Sequence, residues 1–263
     1  MTIRIAHLSD IHFGDEITGA VQAAPQAVAA FAPTLTIVTG DLTLGGRPAE
    51  FRAAAAWLDR LPQPLLVTPG NHDTPYWDLV PRIFAPFARY RRHIGASDGG
   101  AFDHPGLAAR WLNSARGAQP RLNWSRGAIS LERLRAISWD SAGPGDLRLF
   151  ACHHPLLFLP GAPVEGGVRR GAEAMKELAR TGVDIILSGH VHNPFVLQAP
   201  GCETGVWAIG AGTLSRRLRG TPASFTTIVA GPEIIEVATQ AWTDGAFRQD
   251  QTWTAPRRTP RAA

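Results

Sequence analysis

The chain is poor in cysteine and lysine and lacks any long apolar run. Its 263 residues include two cysteines, Cys152 and Cys202, and one lysine, Lys176. The two cysteines make no metal-binding spacing with each other, which favours free thiols in a cytoplasmic protein. No stretch of about 18 apolar residues occurs, so we expect no membrane span. The N-terminus, which enters a predicted strand at Ile3, lacks the pattern of a signal peptide.

The formal net charge of +4 is carried almost wholly by arginine. A basic protein can bind nucleic acid or phosphate groups. Here the basic residues are scattered, so a nucleic-acid partner is not favoured. The basic run Pro256–Arg261 lies in a stretch, 256–263, that we expect to be a frayed tail. Residues 1–255 are then predicted to form one domain.

Five short apolar runs are each followed by residues of metal-binding type. The runs are Ile3–Leu8, Leu35–Thr39, Pro64–Thr68, Leu147–Cys152 and Val183–Ser188. The residues that follow them are Asp10-x-His12, Gly40-Asp41, Gly70-Asn71-His72-Asp73, His153 and Gly189-His190-Val191-His192. We interpret the runs as buried strands whose carboxyl ends converge on one crevice, where open α/β sheets place their sites.

Helical patterns alternate with these strands, which predicts a largely parallel sheet with helices outside it. The predicted helices cover Gly19–Ala32, Ala49–Leu61, Tyr76–Arg92 with interruptions at Pro81 and Pro86, Ser130–Ser138 with Ser130 as N-cap, and Arg170–Thr181. Gly99-Gly100 indicates a loop. The last β-prone runs favour an antiparallel meander: Phe195–Gln198, Val206–Ile209, Ser224–Val229 and Glu233–Ala238.

The clusters suit two metal ions. Asp10 and His12 can face one ion, although an N-cap aspartate beside a surface histidine is the plainer alternative. Asp41 can bridge two ions, and Asn71 offers a neutral oxygen, although asparagine in a turn is commonly structural. Mixed carboxylate, amide and imidazole ligation suits manganese, iron, zinc or cobalt. Two divalent ions and two carboxylates would leave the site positive, so that it binds an anion and acidifies a water.

The whole ordered set, spanning residues 10–192, resembles the calcineurin-like metallophosphoesterase superfamily. The run Cys152-His153-His154-Pro155 resembles its bacterial cyclic-nucleotide and glycerophosphodiester phosphodiesterase branch. The resemblance implies an α/β fold, a four-layer αββα sandwich of two mixed β-sheets flanked by helices. It also implies two divalent metal ions and their ligands: Asp10, His12 and His192 for the first, Asn71, His153 and His190 for the second, and Asp41 as the bridge.

The resemblance also assigns residues that do not bind metal. His72 would contact the phosphate and protonate or stabilise the leaving oxygen, as a general acid near neutral pH can do. Asp73 would orient His72 and raise its basicity. In the family the first histidine of a His-His pair is the ligand, which selects His153 over His154. His154 would then support the ligands or simply be packed.

We therefore expect a hydrolase of phosphate esters in which a metal-bridging hydroxide attacks phosphorus in line. A small-molecule phosphodiesterase is the leading hypothesis. A phosphomonoesterase or nuclease on the same metal core is the alternative. A non-catalytic interaction module would be favoured by missing ligands, and none is missing.

Substrate selection and assembly are less well defined. Arg121, Arg126, Arg169 and Arg170 are candidates for holding a second phosphate or a carboxylate, although surface arginines are common. Asn193 and Arg216, beyond the last histidine pair, are candidates of the same kind. The eight tryptophans, including Trp242 and Trp253, suit either a homo-oligomer interface or core packing.

Overall fold

The computed structural model describes residues 1–121, 123–157, 168–200 and 205–258. Cys202 and residues 259–263 of the predicted tail lie outside this part. In chain order the elements are β1 (Ile3–Leu8), α1 (Thr18–Phe31), β2 (Leu35–Val38), α2 (Pro48–Leu58), β3 (Leu65–Val67), α3 (Leu79–Phe84), α4 (Ala88–His93), β4 (Gly99–His104), β5 (Leu107–Leu112), α5 (Leu131–Arg135), β6 (Leu147–Ala151), α6 (Gly171–Arg180), β7 (Ile185–Ser188), β8 (Phe195–Gln198), β9 (Trp207–Gly210), β10 (Ser224–Ala230), β11 (Ile234–Thr243) and β12 (Ala246–Pro256).

The strands form two mixed sheets of six strands each. The first has the order β12-β11-β10-β1-β2-β3, and the second has the order β4-β5-β6-β7-β9-β8. Parallel pairing joins β1, β2 and β3 in the first sheet and β5, β6, β7 and β9 in the second. The remaining strands pair antiparallel at the sides of these parallel cores.

Three apolar layers hold the sheets and helices together, and β1 illustrates how. Side chains alternate across a strand, so Ile3 and Ile5 enter the layer between the two sheets, whereas Ala6 and Leu8 pack with α1 and α2. On the far side of the second sheet, residues of β6 and β7 pack against α5 and α6. Full burial of each large aliphatic side chain contributes about 1.5–3 kcal/mol. The predicted four-layer αββα sandwich is thus confirmed.

One local prediction was wrong because packing against a neighbouring strand overrides turn preference. Gly99 and Gly100 open strand β4 instead of forming a loop, pairing with Leu112 and Trp111 of β5. A Cβ on Gly100 would lie 2.5 Å from Trp111 Nε1, so the missing side chain makes room for the indole across the strand pair. The helix predicted over Tyr76–Arg92 forms as α3 and α4, and the predicted interruption at Pro86 is present, whereas Pro81 lies within α3.

The last third of the chain is not one meander. β8 and β9 belong to the second sheet, where β9 pairs parallel with β7, and only β10, β11 and β12 run antiparallel in succession. Strand β12 extends to Pro256, and the backbone N–H of Arg257 donates to the Glu233 carbonyl at 2.6 Å. The start predicted for the frayed tail, 256, is therefore too early.

The tryptophans near the C-terminus pack into the protein. The Trp242 ring lies 5.1 Å from that of Phe247 and beside the helix-covered core of the first sheet. Trp253 packs against the core between the sheets. Across the described ranges, no helix is long and apolar enough to cross a membrane.

Candidate metal centre

The predicted ligands meet at one edge of the sandwich. Asp10, Asp41 and Asn71 follow the parallel strands β1, β2 and β3, whereas His153 and His190 follow β6 and β7 of the other sheet. Because all five strands end at this edge, the site lies between the two sheets. Asp10 and His153 are fully buried.

The first group comprises Asp10, His12 and His192. The Nδ1 atoms of the two imidazoles contact backbone carbonyls, at 3.3 Å from Thr43 O and 2.8 Å from Arg217 O. A neutral imidazole that donates from Nδ1 presents a lone pair at Nε2. The two Nε2 atoms are 3.2 Å apart, and that of His192 lies 3.1 Å from Asp10 Oδ1.

The second group comprises Asn71, His153 and His190. His153 Nδ1 lies 2.6 Å from Thr39 O, which directs Nε2 towards Asn71 Oδ1 at 3.2 Å. The His190 ring lies 5.2 Å from that of His153. Burial and the neighbouring His153 lower the pKa of His190 to about 3, so its imidazole is neutral and able to act as a ligand.

Asp41 contacts both groups. Its Oδ2 lies 3.8 Å from His12 Nε2 and 3.3 Å from His153 Nε2. Its Oδ1 accepts a hydrogen bond from the backbone N–H of His72 at 2.8 Å. One oxygen is therefore fixed by the backbone and the other faces both sets of imidazoles, as a bridging ligand requires.

The chemistry of these groups fits metal ions. Asp10 Oδ1 is buried without a hydrogen-bond donor in the described part of the chain, while lone pairs of two imidazoles face it. Burial would lower the pKa of His153, but the Asp41 carboxylate outweighs burial and raises it to about 9. The cluster thus attracts positive charge, and ligand atoms lie within 4.8 Å of one another in groups such as Asp10, Asp41 and His153.

The backbone of the centre is strained. Eight non-glycine residues among the described ones have positive φ, and five of them are predicted ligands: Asp10, His12, Asp41, His190 and His192. Each such conformation costs of order 1–3 kcal/mol and persists only where the surrounding structure enforces it. This concentration indicates that the turns are shaped to aim ligands.

Glycines at two turns allow the backbone to approach the carboxylates. A Cβ on Gly189 would overlap Ser9 Oγ and Asp10 Oδ2, and a Cβ on Gly70 would overlap Asp41 Oδ1. The backbone N–H of the next residue, His190, donates a hydrogen bond to Asp10 Oδ2 at 2.8 Å. At both positions, the missing side chain therefore lets the turn after one strand approach a carboxylate at the end of a different strand.

His72 lies beside the centre, and its ring nitrogens are engaged. Nδ1 donates to Leu44 O at 2.6 Å, and Nε2 accepts from Arg217 Nη1 at 2.9 Å. Burial lowers the pKa of His72 to about 4 although Asp41 acts in the opposite direction. The His72 ring is edge-on to that of His12, at 4.8 Å.

The predicted contact between Asp73 and His72 was wrong. The Asp73 carboxylate accepts from the backbone N–H groups of Gly70 and Thr43, at 2.8 and 3.0 Å, and from the Thr43 hydroxyl. Burial and the neighbouring Asp41 raise the pKa of Asp73 to about 7. Asp73 braces the turn that carries Asn71 and His72, because its short side chain folds back on its own loop.

His154 supports the centre. Its Nε2 donates to Ser125 O at 2.8 Å, and its Nδ1 accepts from the Ser114 hydroxyl at 2.8 Å. The same hydroxyl accepts from the His154 N–H at 3.0 Å. With both ring nitrogens used, His154 packs beside His190, with ring centroids 4.5 Å apart. The choice of His153 as the ligand is consistent with this arrangement.

His72 borders two cavities. One of 340 Å³ is lined by residues including Leu44, Tyr76 and Trp77. The other, of 650 Å³, is lined by residues including Asn71, Trp124 and Ser125. Arg217 lines both cavities, whereas none of the candidates Arg121, Arg126, Arg169, Arg170, Asn193 and Arg216 lines either.

Sequence reasoning missed Arg217. Its place follows from the fold, since Gly210 ends β9 and the segment 211–217 comes next. Because β9 is parallel to β7, that segment emerges at the same edge as His190 and His192. The antiparallel meander predicted for this region placed the segment elsewhere.

Comparison with known proteins identifies related chains. Residues 3–194 match the model of the calcineurin-like phosphoesterase family. A protein from Synechococcus sp., described as a probable cyclic nucleotide phosphodiesterase, is 27% identical over 218 residues, which are 78% of each chain.

Solved structures show the same fold at low sequence identity. A dimetal phosphatase from Danio rerio is 13% identical with a TM-score of 0.64, and the match covers 97% of this chain and 98% of that one. GAP50 of Plasmodium, described as the anchor in the inner membrane complex, is 13% identical with a TM-score of 0.61. That match covers 99% of this chain and 90% of the GAP50 chain. At such identity the likeness concerns the fold alone.

Proposed function

Since this chain belongs to the calcineurin-like phosphoesterase family, we propose that it hydrolyses a small phosphate diester at a centre of two divalent metal ions. The observation that carries the proposal is the pair of ligand groups that share Asp41, whose Oδ2 faces His12 and His153. Paired ions are the arrangement that phosphatases and nucleases use for in-line displacement at phosphorus.

The residues divide between the two ions as follows. Asp10, His12 and His192 would hold one ion, Asn71, His153 and His190 would hold the other, and Asp41 would bind both. Bound ions supply positive charge that acidifies a water and neutralises phosphoryl oxygens. The mixed oxygen and nitrogen donors suit manganese, iron, zinc or cobalt.

His72 is placed to act on the ester oxygen. Its Nδ1 is held by Leu44 O, its Nε2 meets Arg217, and the residue lines both cavities. Once protonated at both ring nitrogens, an imidazolium at this position could donate from Nε2 to the oxygen that leaves. Asp73 contributes by bracing the turn that carries His72, through its hydrogen bonds with Gly70 and Thr43.

The two cavities support a diester as substrate. A diester carries an organic group on each side of phosphorus, whereas a monoester carries one. The cavities of 340 and 650 Å³ are both lined by His72 and Tyr76. The description of the Synechococcus relative as a probable phosphodiesterase agrees with this choice.

Comparison of two chromogenic esters tests the proposal. The protein is loaded with Mn²⁺, its metal content is measured, and turnover of bis(p-nitrophenyl) phosphate is compared with that of p-nitrophenyl phosphate. We expect a higher kcat/KM for the diester and loss of turnover in Asp41→Asn. A preference for the monoester would favour a phosphomonoesterase, and bound metal without turnover of any ester would favour an interaction module.

Location and assembly remain predictions from the sequence. A cytoplasmic protein without a nucleic-acid partner is expected from the scattered charge and the few cysteines. Cell fractionation tests the location, and light scattering tests for a homo-oligomer.

A further inference from the structure

Arg217 is held against the metal centre by its backbone. Its carbonyl accepts from His192 Nδ1 at 2.8 Å, and its N–H donates to the Ser215 hydroxyl at 3.3 Å. In the same loop the Thr213 hydroxyl donates to the carbonyl of Asp10 at 2.6 Å. The segment that carries Arg217 is thus fixed to two residues that follow different strands, and its side chain starts from a defined point.

The guanidinium of Arg217 has unused donors. An arginine side chain carries five N–H donors in a rigid fork. Over the described ranges the side chain makes one hydrogen bond, from Nη1 to His72 Nε2 at 2.9 Å, and no carboxylate lies within ion-pair distance of it. A half-buried cation without a carboxylate partner, beside a centre that would bind an anion once it holds metal ions, is suited to a ligand of negative charge.

The position of Arg217 matches that of a phosphoryl group flanked by two organic groups. Among the residues that line both cavities are His72, Tyr76 and Arg217. Asn71, a predicted ligand, lines the larger cavity beside them. An ester whose organic groups enter the two cavities would have its phosphorus between them, next to the guanidinium.

We propose that Arg217 binds a non-bridging oxygen of the substrate phosphoryl group, and that this contact takes Nη1 away from His72 and leaves Nε2 facing the ester oxygen. The inference rests on the proposed function, because it deepens the same site. The role assigned to Arg217 is binding, and no proton transfer is assigned to it. Its contribution is positive charge and hydrogen bonds at the phosphoryl oxygens.

The chain offers a matched control in the neighbouring Arg216. The Arg216 side chain is exposed, and its backbone N–H donates to the Asp15 carbonyl at 2.9 Å. Side-chain substitution at either position leaves the backbone carbonyl of Arg217 on His192 in place. The guanidinium near the centre is therefore absent from Arg217→Ala and Arg217→Lys and present in Arg216→Ala. The backbone contact with His192 is the same in all three variants.

The experiment measures catalysis and anion binding separately on Mn²⁺-loaded protein. Turnover is followed with bis(p-nitrophenyl) phosphate, and binding of inorganic phosphate is followed by calorimetry. We expect Arg217→Ala to lose about 10²–10³-fold in kcat/KM, the scale for one oxyanion donor. It should also bind phosphate at least about tenfold more weakly, the scale of a charge-assisted hydrogen bond, and keep its metal content. Arg217→Lys should be intermediate, Arg216→Ala should match wild type, and added guanidinium should partly restore Arg217→Ala.

Several results would overturn the inference. Arg217→Ala with the kinetics and phosphate affinity of Arg216→Ala would remove Arg217 from the site. Reduced turnover with unchanged phosphate affinity and no restoration by guanidinium would make Arg217 a brace for His72. Loss of metal in Arg217→Ala would make it a support for the centre. Wild-type protein that turns over no ester contradicts the proposed function instead, while calorimetry still decides whether Arg217 binds phosphate.

Discussion

Replacing Gly189 by alanine should damage the centre without touching a ligand. A Cβ on Gly189 would lie 2.7 Å from Ser9 Cβ and would overlap Asp10 Oδ2, whereas ordinary contact begins at 3.4 Å. The end of β1 or the turn after β7 must therefore move by at least about 0.7 Å, the difference between those two distances. The shift falls on the Asp10 carboxylate, which the N–H of His190 also holds.

The magnitude follows from that displacement. A misplacement of about 1 Å can cost 10²-fold in rate, so we expect kcat/KM for bis(p-nitrophenyl) phosphate to fall by about 10²-fold. Overpacking a tight site costs about 1–3 kcal/mol of the free energy of unfolding, so Tm should fall by several degrees. The ion held by Asp10, His12 and His192 should be bound more weakly than the other.

Gly231→Ala is the control for this experiment. Gly231 lies in the turn between β10 and β11, where a Cβ would meet only Ile234 O at 3.5 Å, an ordinary contact. Its kinetics and Tm should match those of the wild type. A Gly189→Ala protein with full metal content and wild-type turnover would refute the argument that glycine is required here for close approach.

Four further predictions concern the centre and its support. Asp41→Asn should weaken binding of both ions, because one carboxylate faces both groups, whereas Asp59→Asn on the surface should leave metal content unchanged; equal metal content in both variants would contradict the bridge. His72→Ala should keep its metal and lose about 10²–10⁴ in kcat, the range for a general acid, and wild-type turnover would exclude His72 from the reaction. Ser114→Ala should lower the free energy of unfolding by about 1–3 kcal/mol, because it leaves the buried His154 Nδ1 without its donor; an unchanged chemical-denaturation midpoint would count against this. Removing metal with a chelator should lower Tm, since an ion at 100 times its Kd stabilises the fold by about 2.7 kcal/mol, and calorimetric scans with and without chelator check this.

The gathering of the candidate ligands at one edge was predictable because its signals are local. Each apolar run ends where a short polar motif begins, and parallel strands bring such ends to one edge. The structure accordingly places Asp10, Asp41, Asn71, His153 and His190 together at that edge. The helices α1, α2 and α6 also begin and end within a few residues of their predicted bounds, since their periodicity and flanking residues are local properties.

Other features depend on partners distant in the sequence. The apolar run that forms β9 has the same residue pattern whether it pairs parallel or antiparallel with its neighbour. The direction of β9, and therefore the position of Arg217 beside the centre, could not be derived from the local sequence pattern. β12 is an exposed edge strand, and a register shift between Ala238 and Gln240 of its partner weakens its alternation. The role of Asp73 depended on which way a short side chain turns within its loop.

The centre draws its side chains from both sheets, and this has a consequence for assembly. His153 reaches Thr39 across a sequence separation of 114 residues, and His190 reaches Asp10 across 180. Contacts of such separation carry a high loop-closure cost and form slowly. We therefore expect metal ions to be bound during refolding only after the apolar core has collapsed. Cobalt absorption rising in step with tryptophan fluorescence would disprove this order of events.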